Sequence, residues 1–172
     1  MYNETRVLAK RIVFGLLALS MMVVIFLFSS QTGEESGELS NGITEVIVEV
    51  VSKTFDLDIK ENPESMETFH LVIRKIAHFT VYFVLGLFVS LFVCSFEGRL
   101  IVQSGISLGI AAVYAVSDEI HQSFVGGRAM AVWDMIIDTS GALLAVLIVF
   151  LILKSSYKEH KKQEVQVEIY PI

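Results

Sequence analysis

Four apolar segments, about 12–28, 76–96, 100–116 and 132–153, decide what this chain can become. A helix crossing a bilayer needs roughly 20 apolar residues, with a working range of about 17–25. The first and third segments sit at the short end of that range. The second and fourth reach it only by tolerating His78, Tyr82, Asp134 and Asp138. Of the 172 residues 53% are hydrophobic, against roughly 45–50% in a soluble domain even when glycine is counted. The expected fold is all-α: one polytopic membrane domain over 1–153 with four transmembrane helices, not a soluble core.

Charge orients it. The N-terminal stretch carries Arg6, Lys10 and Arg11, the connection after the second span carries Arg99, and the tail 154–172 carries Lys154, Lys158, Lys161 and Lys162. The connection 34–67 holds ten acids against Lys53 and Lys60. By the positive-inside rule both termini and the 97–99 loop are cytoplasmic, and the segment 31–70 is extracytoplasmic. The formal charge of −6 and the lack of a clustered basic patch exclude a nucleic-acid partner. The first apolar run exceeds the roughly 7–15 residues of a signal peptide and no A-x-A-like site follows, so 1–30 is read as an uncleaved anchor. Cys94 is the only cysteine; it has no disulfide partner or thiol-type metal spacing and is read as a packing residue.

The outer segment has an order of its own. After the loop-like Ser29-Ser-Gln-Thr-Gly-Glu-Glu-Ser-Gly, residues Ile43, Val46, Ile47, Val50, Val51 and Phe55 recur at spacings of three and four. That is one apolar helical face, with Glu45, Glu49 and Lys53 off it. Such a helix lies on the outer membrane surface or packs on the bundle, and packing is the expectation. Asn62-Pro63-Glu64 is a helix start, after which Met66, Phe69, His70 and Ile73 form a stripe leading towards the second span.

Polar residues then gather where the spans end outside. Ionisable groups in membrane segments are costly and mark function by default. Lys75, His78 and Tyr82, following Arg74, share a helix face. In Tyr114-Ala-Val-Ser-Asp-Glu-Ile-His-Gln122, residues Tyr114, Asp118, His121 and Gln122 make one stripe, and Glu119 turns about 100° away from Asp118. One of these two acids is expected to hold Arg128 or Lys75 while the other points into a cavity, and pairing with Glu119 is the expected role of Arg128. The diglycine before Arg128 permits positive φ. Asp134, Asp138 and Gly141 share a face of the fourth span, and the glycine allows close helix approach, which turns the aspartates inward. Carboxylate and imidazole both ligate divalent ions, but the ligands would come from separate helices, and no metal or other cofactor is assigned.

Taken together, Arg74-Lys75-x-x-His78-x-x-x-Tyr82, Asp118-Glu119-x-His121-Gln122 with Gly127-Arg128, Asp134, and Asp138-Thr139-x-Gly141 resemble the VanZ-like family, as does Phe28-Ser-Ser-Gln31. The resemblance runs from about residue 12 to 150. It implies a bacterial cytoplasmic-membrane protein, and the family's namesake is linked to tolerance of the lipoglycopeptide teicoplanin. Two positions depart from the family pattern: Gly126 stands where proline is frequent, and Asp138 where asparagine is frequent.

Three functions use these parts. In a binding protein, Arg74, Lys75, His78 and Arg128 hold the anionic headgroup of an envelope lipid or lipid-linked wall precursor, while Tyr82, Tyr114, Gln122, Asp134 and Asp138 orient it. In an enzyme, Asp118, Glu119, His78 and His121 supply acid–base groups for hydrolysis or transfer at that headgroup. In a conduit, the same acids and histidines relay protons. The chain has no H-E-x-x-H, G-x-S-x-G or P-loop motif, so binding is the leading expectation.

Overall fold

The computed structural model describes residues 2–55 and 63–169, with side chains described over 4–55 and 65–159. Five helices follow one another: α1 (Tyr2–Ser29), α2 (Gly33–Phe55), α3 (Pro63–Val93), α4 (Leu100–Gln122) and α5 (Val132–Ile169). Four are long and apolar enough to cross a membrane, over Glu4–Ser29, Ser65–Val93, Leu100–Gln122 and Val132–Glu159. The protein is thus an all-α polytopic membrane bundle. Because the four spans alternate in direction, the end of α1, all of α2, the outer turns of α3, the end of α4 and the start of α5 meet at one end.

Helix α3 is the hub, packing on α1, α2, α4 and α5. Its closest neighbour is α5, and two glycines explain why. A Cβ at Gly86 of α3 would come within 2.7 Å of the Ala142 Cα, and one at Gly141 of α5 would strike the Phe79 carbonyl oxygen. With no lipid-driven hydrophobic force between spans, small residues at the seam are what bring backbones together. Ala111, Ala115, Ala142 and Ala145 continue this pattern, all fully buried. Ala18 and Ile25 of α1 close the core against Tyr82, Leu85 and Val89. Outside it, Leu16, Leu27, Val113 and Leu151 are more than half exposed, as suits a surface that faces lipid rather than water.

The end opposite α2 is held by polar clasps. The second apolar segment runs on to Phe96, but α3 stops at Val93, because the next residues turn towards α4. There Gln103 donates from Nε2 to the Phe96 carbonyl at 2.7 Å, and Arg11 of α1 donates to the Ser95 carbonyl at 3.1 Å while lying over the Phe96 ring. Helix α4 extends beyond residue 116 to Gln122, so its polar cluster is helical. Helix α5 has 38 residues, about 57 Å at 1.5 Å per residue, and outruns a hydrocarbon core of about 30 Å.

Helix α2 begins with a capping box: Thr32 donates from its backbone N–H and its hydroxyl to Glu35, and the Glu35 N–H donates back to Thr32 Oγ1. It packs on α3 as expected, but not through the apolar stripe alone. Thr44 and Val48 are its buried residues, on a row with Ser36 and Ser40, while Ile43, Val46, Val50 and Phe55 are 51–68% exposed. The cause is the anchor at its first turn. Gly33 donates to the Gly126 carbonyl at 3.0 Å and sits against Gly127, which fixes the rotation that points the small-residue row inward.

Candidate functional site

Two rungs tie α3 to α5 at the α2 end. Lys75 Nζ lies 3.1 Å from Asp134 Oδ1. One turn deeper, His78 Nδ1 lies 3.3 Å from Asp138 Oδ1. Both follow from spacings of three and four residues on facing helices. The outer rung is partly exposed, 46% for Lys75 and 23% for Asp134, so its attraction is weakened by water. The inner rung is buried. Asp138 is wholly enclosed and neither of its oxygens has an aligned hydrogen bond; its 3.3 Å approach to His78 is an ion pair only when the imidazole is protonated. A buried polar atom left unmatched costs on the order of 1–3 kcal/mol, more if charged, which makes Asp138 an exceptional residue for a membrane helix.

The adjacent acids of α4 serve different neighbours, as their 100° separation requires. Asp118 accepts from Gln122 Nε2 at 2.9 Å. Glu119 accepts the Ala131 N–H on Oε2 at 3.0 Å, and its Oε1 is buried without a partner. Glu119 therefore fastens the approach to α5. It does not pair with Arg128, and this corrects the sequence expectation. The connection from α4 turns on Gly127 at φ 76°, and that turn aims Arg128 at α1 and α2 instead. Arg128 donates to the Ser29 carbonyl at 3.1 Å and to Ser36 Oγ at 2.9 Å, while its Nε is buried and unpartnered. Burial, and then the nearby Arg74 guanidinium, lower its pKa from the ordinary arginine value. Arginine stays charged nonetheless.

Two hollows meet here. One, about 270 Å³, has apolar walls that include Ile25 and Phe28 of α1, Leu39 and Ile43 of α2, and Ile73 and Val81 of α3, with Tyr82 and Asp118 at its polar side. The other, about 250 Å³, is bounded by Lys75, Asp134, Gly127 and Ala129. Arg74, His78, Gln122 and Arg128 line both. Among the described residues Arg74 makes no hydrogen bond or ion pair, and no carboxylate lies within ion-pair distance of Arg128. The seam between the hollows is thus marked by two guanidinium groups that, among the described residues, touch no carboxylate, with Asp118, Glu119 and Asp134 acting on Arg128 from farther off.

Several sequence candidates lie elsewhere. Tyr114 donates to the Met22 carbonyl at 2.6 Å, and His121 stacks on Phe26 with ring centroids 4.8 Å apart and meets Ser30 Oγ at 3.2 Å. Both fasten α4 to α1, and neither lines a hollow, nor do Glu119 and Asp138. Of the walls on α1 and α2, Phe28 and Ile43 stand out in the sequence, but Ser36, Ile25 and Leu39 do not. The Ser36, Ser40, Thr44 row at intervals of four was the available signal. Among the described residues no group of three His, Cys, Asp or Glu side chains could hold a metal ion.

The family model described as VanZ/LLP1 matches residues 14–153. This chain belongs to the VanZ/LLP1 family. No curated protein and no solved structure matches it. The matched region takes in the whole site, so in this VanZ/LLP1 protein the paired hollows and their arginine seam are built from the family's own domain.

Proposed function

We propose that this VanZ/LLP1 protein recognises an anionic amphiphile, an envelope lipid or a lipid-linked wall precursor, at the outer leaflet of a bacterial cytoplasmic membrane. The observation that carries this is the pair Arg74 and Arg128, both lining the two hollows and both without a carboxylate partner. Neighbouring guanidiniums repel, and a phosphate shared between them removes that repulsion while accepting forked hydrogen bonds. Such charge-assisted bonds contribute about 1.5–3 kcal/mol each. The acyl or prenyl chain takes the apolar hollow; it exchanges one hydrocarbon environment for another, so the hollow supplies shape and packing while the headgroup contacts supply the affinity. The basic residues at the other end of the bundle support an outward-facing site by the positive-inside rule, on the side where wall precursors are exposed. Occupying such a precursor bears on tolerance of drugs of the teicoplanin type.

The test is native mass spectrometry of gently extracted protein. The wild type carries a phosphate-containing lipid, and Arg74→Met loses it without loss of helicity or thermal stability. A wild type that carries none, or an Arg74→Met variant that keeps it, overturns the reading.

A second reading rests on His78, which lines both hollows with the enclosed Asp138 behind its Nδ1. An imidazole so placed can take a proton from water as that water attacks the headgroup ester, with the arginines stabilising the charge that develops. Release of a headgroup from the co-purified lipid, abolished in His78→Gln, supports it.

A further inference from the structure

We infer that the ligand's anionic group is internal: a phosphodiester or pyrophosphate with a chain on one side and an uncharged, hydroxyl-bearing headgroup on the other. This rests on the lipid-binding reading and narrows it. The arginine seam lies between two spaces of different chemistry, not at the closed end of one. On one side the wall is mainly apolar, with Ile25, Phe28, Leu39, Ile43, Ile73 and Val81, and with Gln31, Ser40, Tyr82 and Asp118 among its polar exceptions. That side reaches the molecular surface, because Phe28, Leu39 and Ile43 are 47–51% exposed. On the other side Lys75 and Asp134 present a donor and an acceptor beside the Gly127–Ala129 turn, in a space of about 250 Å³.

A fatty acid or terminal phosphate monoester fills the apolar hollow and the seam but leaves the polar chamber unused. A diester spans both, because its second substituent leaves the phosphate in the opposite direction from the chain. The chamber's charge selects the substituent. Its lining carries Arg74, Lys75 and Arg128 against Asp134 alone, and Asp134 is already paired with Lys75, while His78 lies against Asp138. An ammonium headgroup meets like charge there, whereas hydroxyls both donate to Asp134 and accept from Lys75.

The experiment is a native mass spectrometry titration of the purified full chain with three lipids of identical chains: phosphatidylglycerol, phosphatidic acid and phosphatidylethanolamine. Phosphatidylglycerol binds about tenfold tighter than either, the worth of one or two headgroup hydrogen bonds. Ala129→Phe fills the chamber from an exposed loop position and removes this preference while phosphatidic acid binds unchanged. Lys75→Met/Asp134→Asn, which deletes the pair without changing net charge, lowers the ratio of phosphatidylglycerol to phosphatidic acid affinity in the same way. Equal affinity for phosphatidylglycerol and phosphatidic acid in the wild type, with both lost in Arg74→Met, overturns the internal-anion inference and leaves the binding site standing. Failure of all three lipids to bind, or indifference to Arg74→Met, overturns both.

Discussion

Replacing Gly141 by alanine inserts one methyl group between α5 and α3. It meets backbone, not a side chain that can swing away: the new Cβ strikes the Phe79 carbonyl oxygen, with the carbonyl carbon at 3.0 Å and the Phe83 nitrogen at 3.2 Å. Carbon atoms rest at about 3.5–4.0 Å, so the helices must part by roughly half an ångström to one ångström. Overpacking of this kind costs about 1–3 kcal/mol, and contact with a rigid backbone puts it at the upper end. Alanine's better helix propensity returns about 1 kcal/mol. The net loss is about 2 kcal/mol, which at about 2–4 °C per kcal/mol for a chain of this size lowers Tm by about 4–8 °C. Gly109 on α4 is the control. Nothing lies within 4 Å of its added Cβ, so Gly109→Ala keeps only the propensity gain and leaves Tm equal or higher. Thermal unfolding in one detergent, followed by circular dichroism, compares the two. The parting also draws Asp138, one turn from Gly141, away from His78, so retained lipid falls in the first variant only. A Gly141→Ala protein as stable as Gly109→Ala refutes the close α3–α5 seam and the rungs built on it.

Tyr114→Phe removes the bond to the Met22 carbonyl and costs about 0.5–1.5 kcal/mol; lipid retention stays unchanged because that hydroxyl lies outside both hollows, and lipid loss in native spectra would move the site's boundary. The bonds from Thr32 hold the Glu35 carboxyl below its usual value, so the cap of α2 is complete at neutral pH and is lost only as pH falls through that lowered value. Hydrogen exchange at the first turn of α2 accordingly accelerates in acid, and Glu35→Gln flattens the pH dependence.

Much of this was legible because charge is conspicuous in an apolar chain. Lys75, His78, Asp134 and Asp138 stand out by composition, and their spacing alone orders them into faces that pair across α3 and α5. Gly141 announces the seam that turns the aspartates inward. Arg128 was misread because the sequence offers a carboxylate nearby, at Glu119, while its real acceptors, Ser29 and Ser36, lie 99 and 92 positions away. Neutral acceptors at such range leave no pattern in charge. The rotation of α2 was hidden for a related reason: its apolar arc is broad, and a glycine contact with another loop decides which edge faces in. The two hollows were invisible because a cavity belongs to no single segment.

Helix α5 enters beside the arginine seam and leaves from the opposite face with about 27 Å of its length to spare, its 38 residues set against a hydrocarbon slab of about 30 Å. That surplus makes it a stalk. A label or enzyme fused after Ile169 stands clear of the membrane surface opposite the site at a set height, like a flag on a pole, whereas one fused before Tyr2 sits close to that surface.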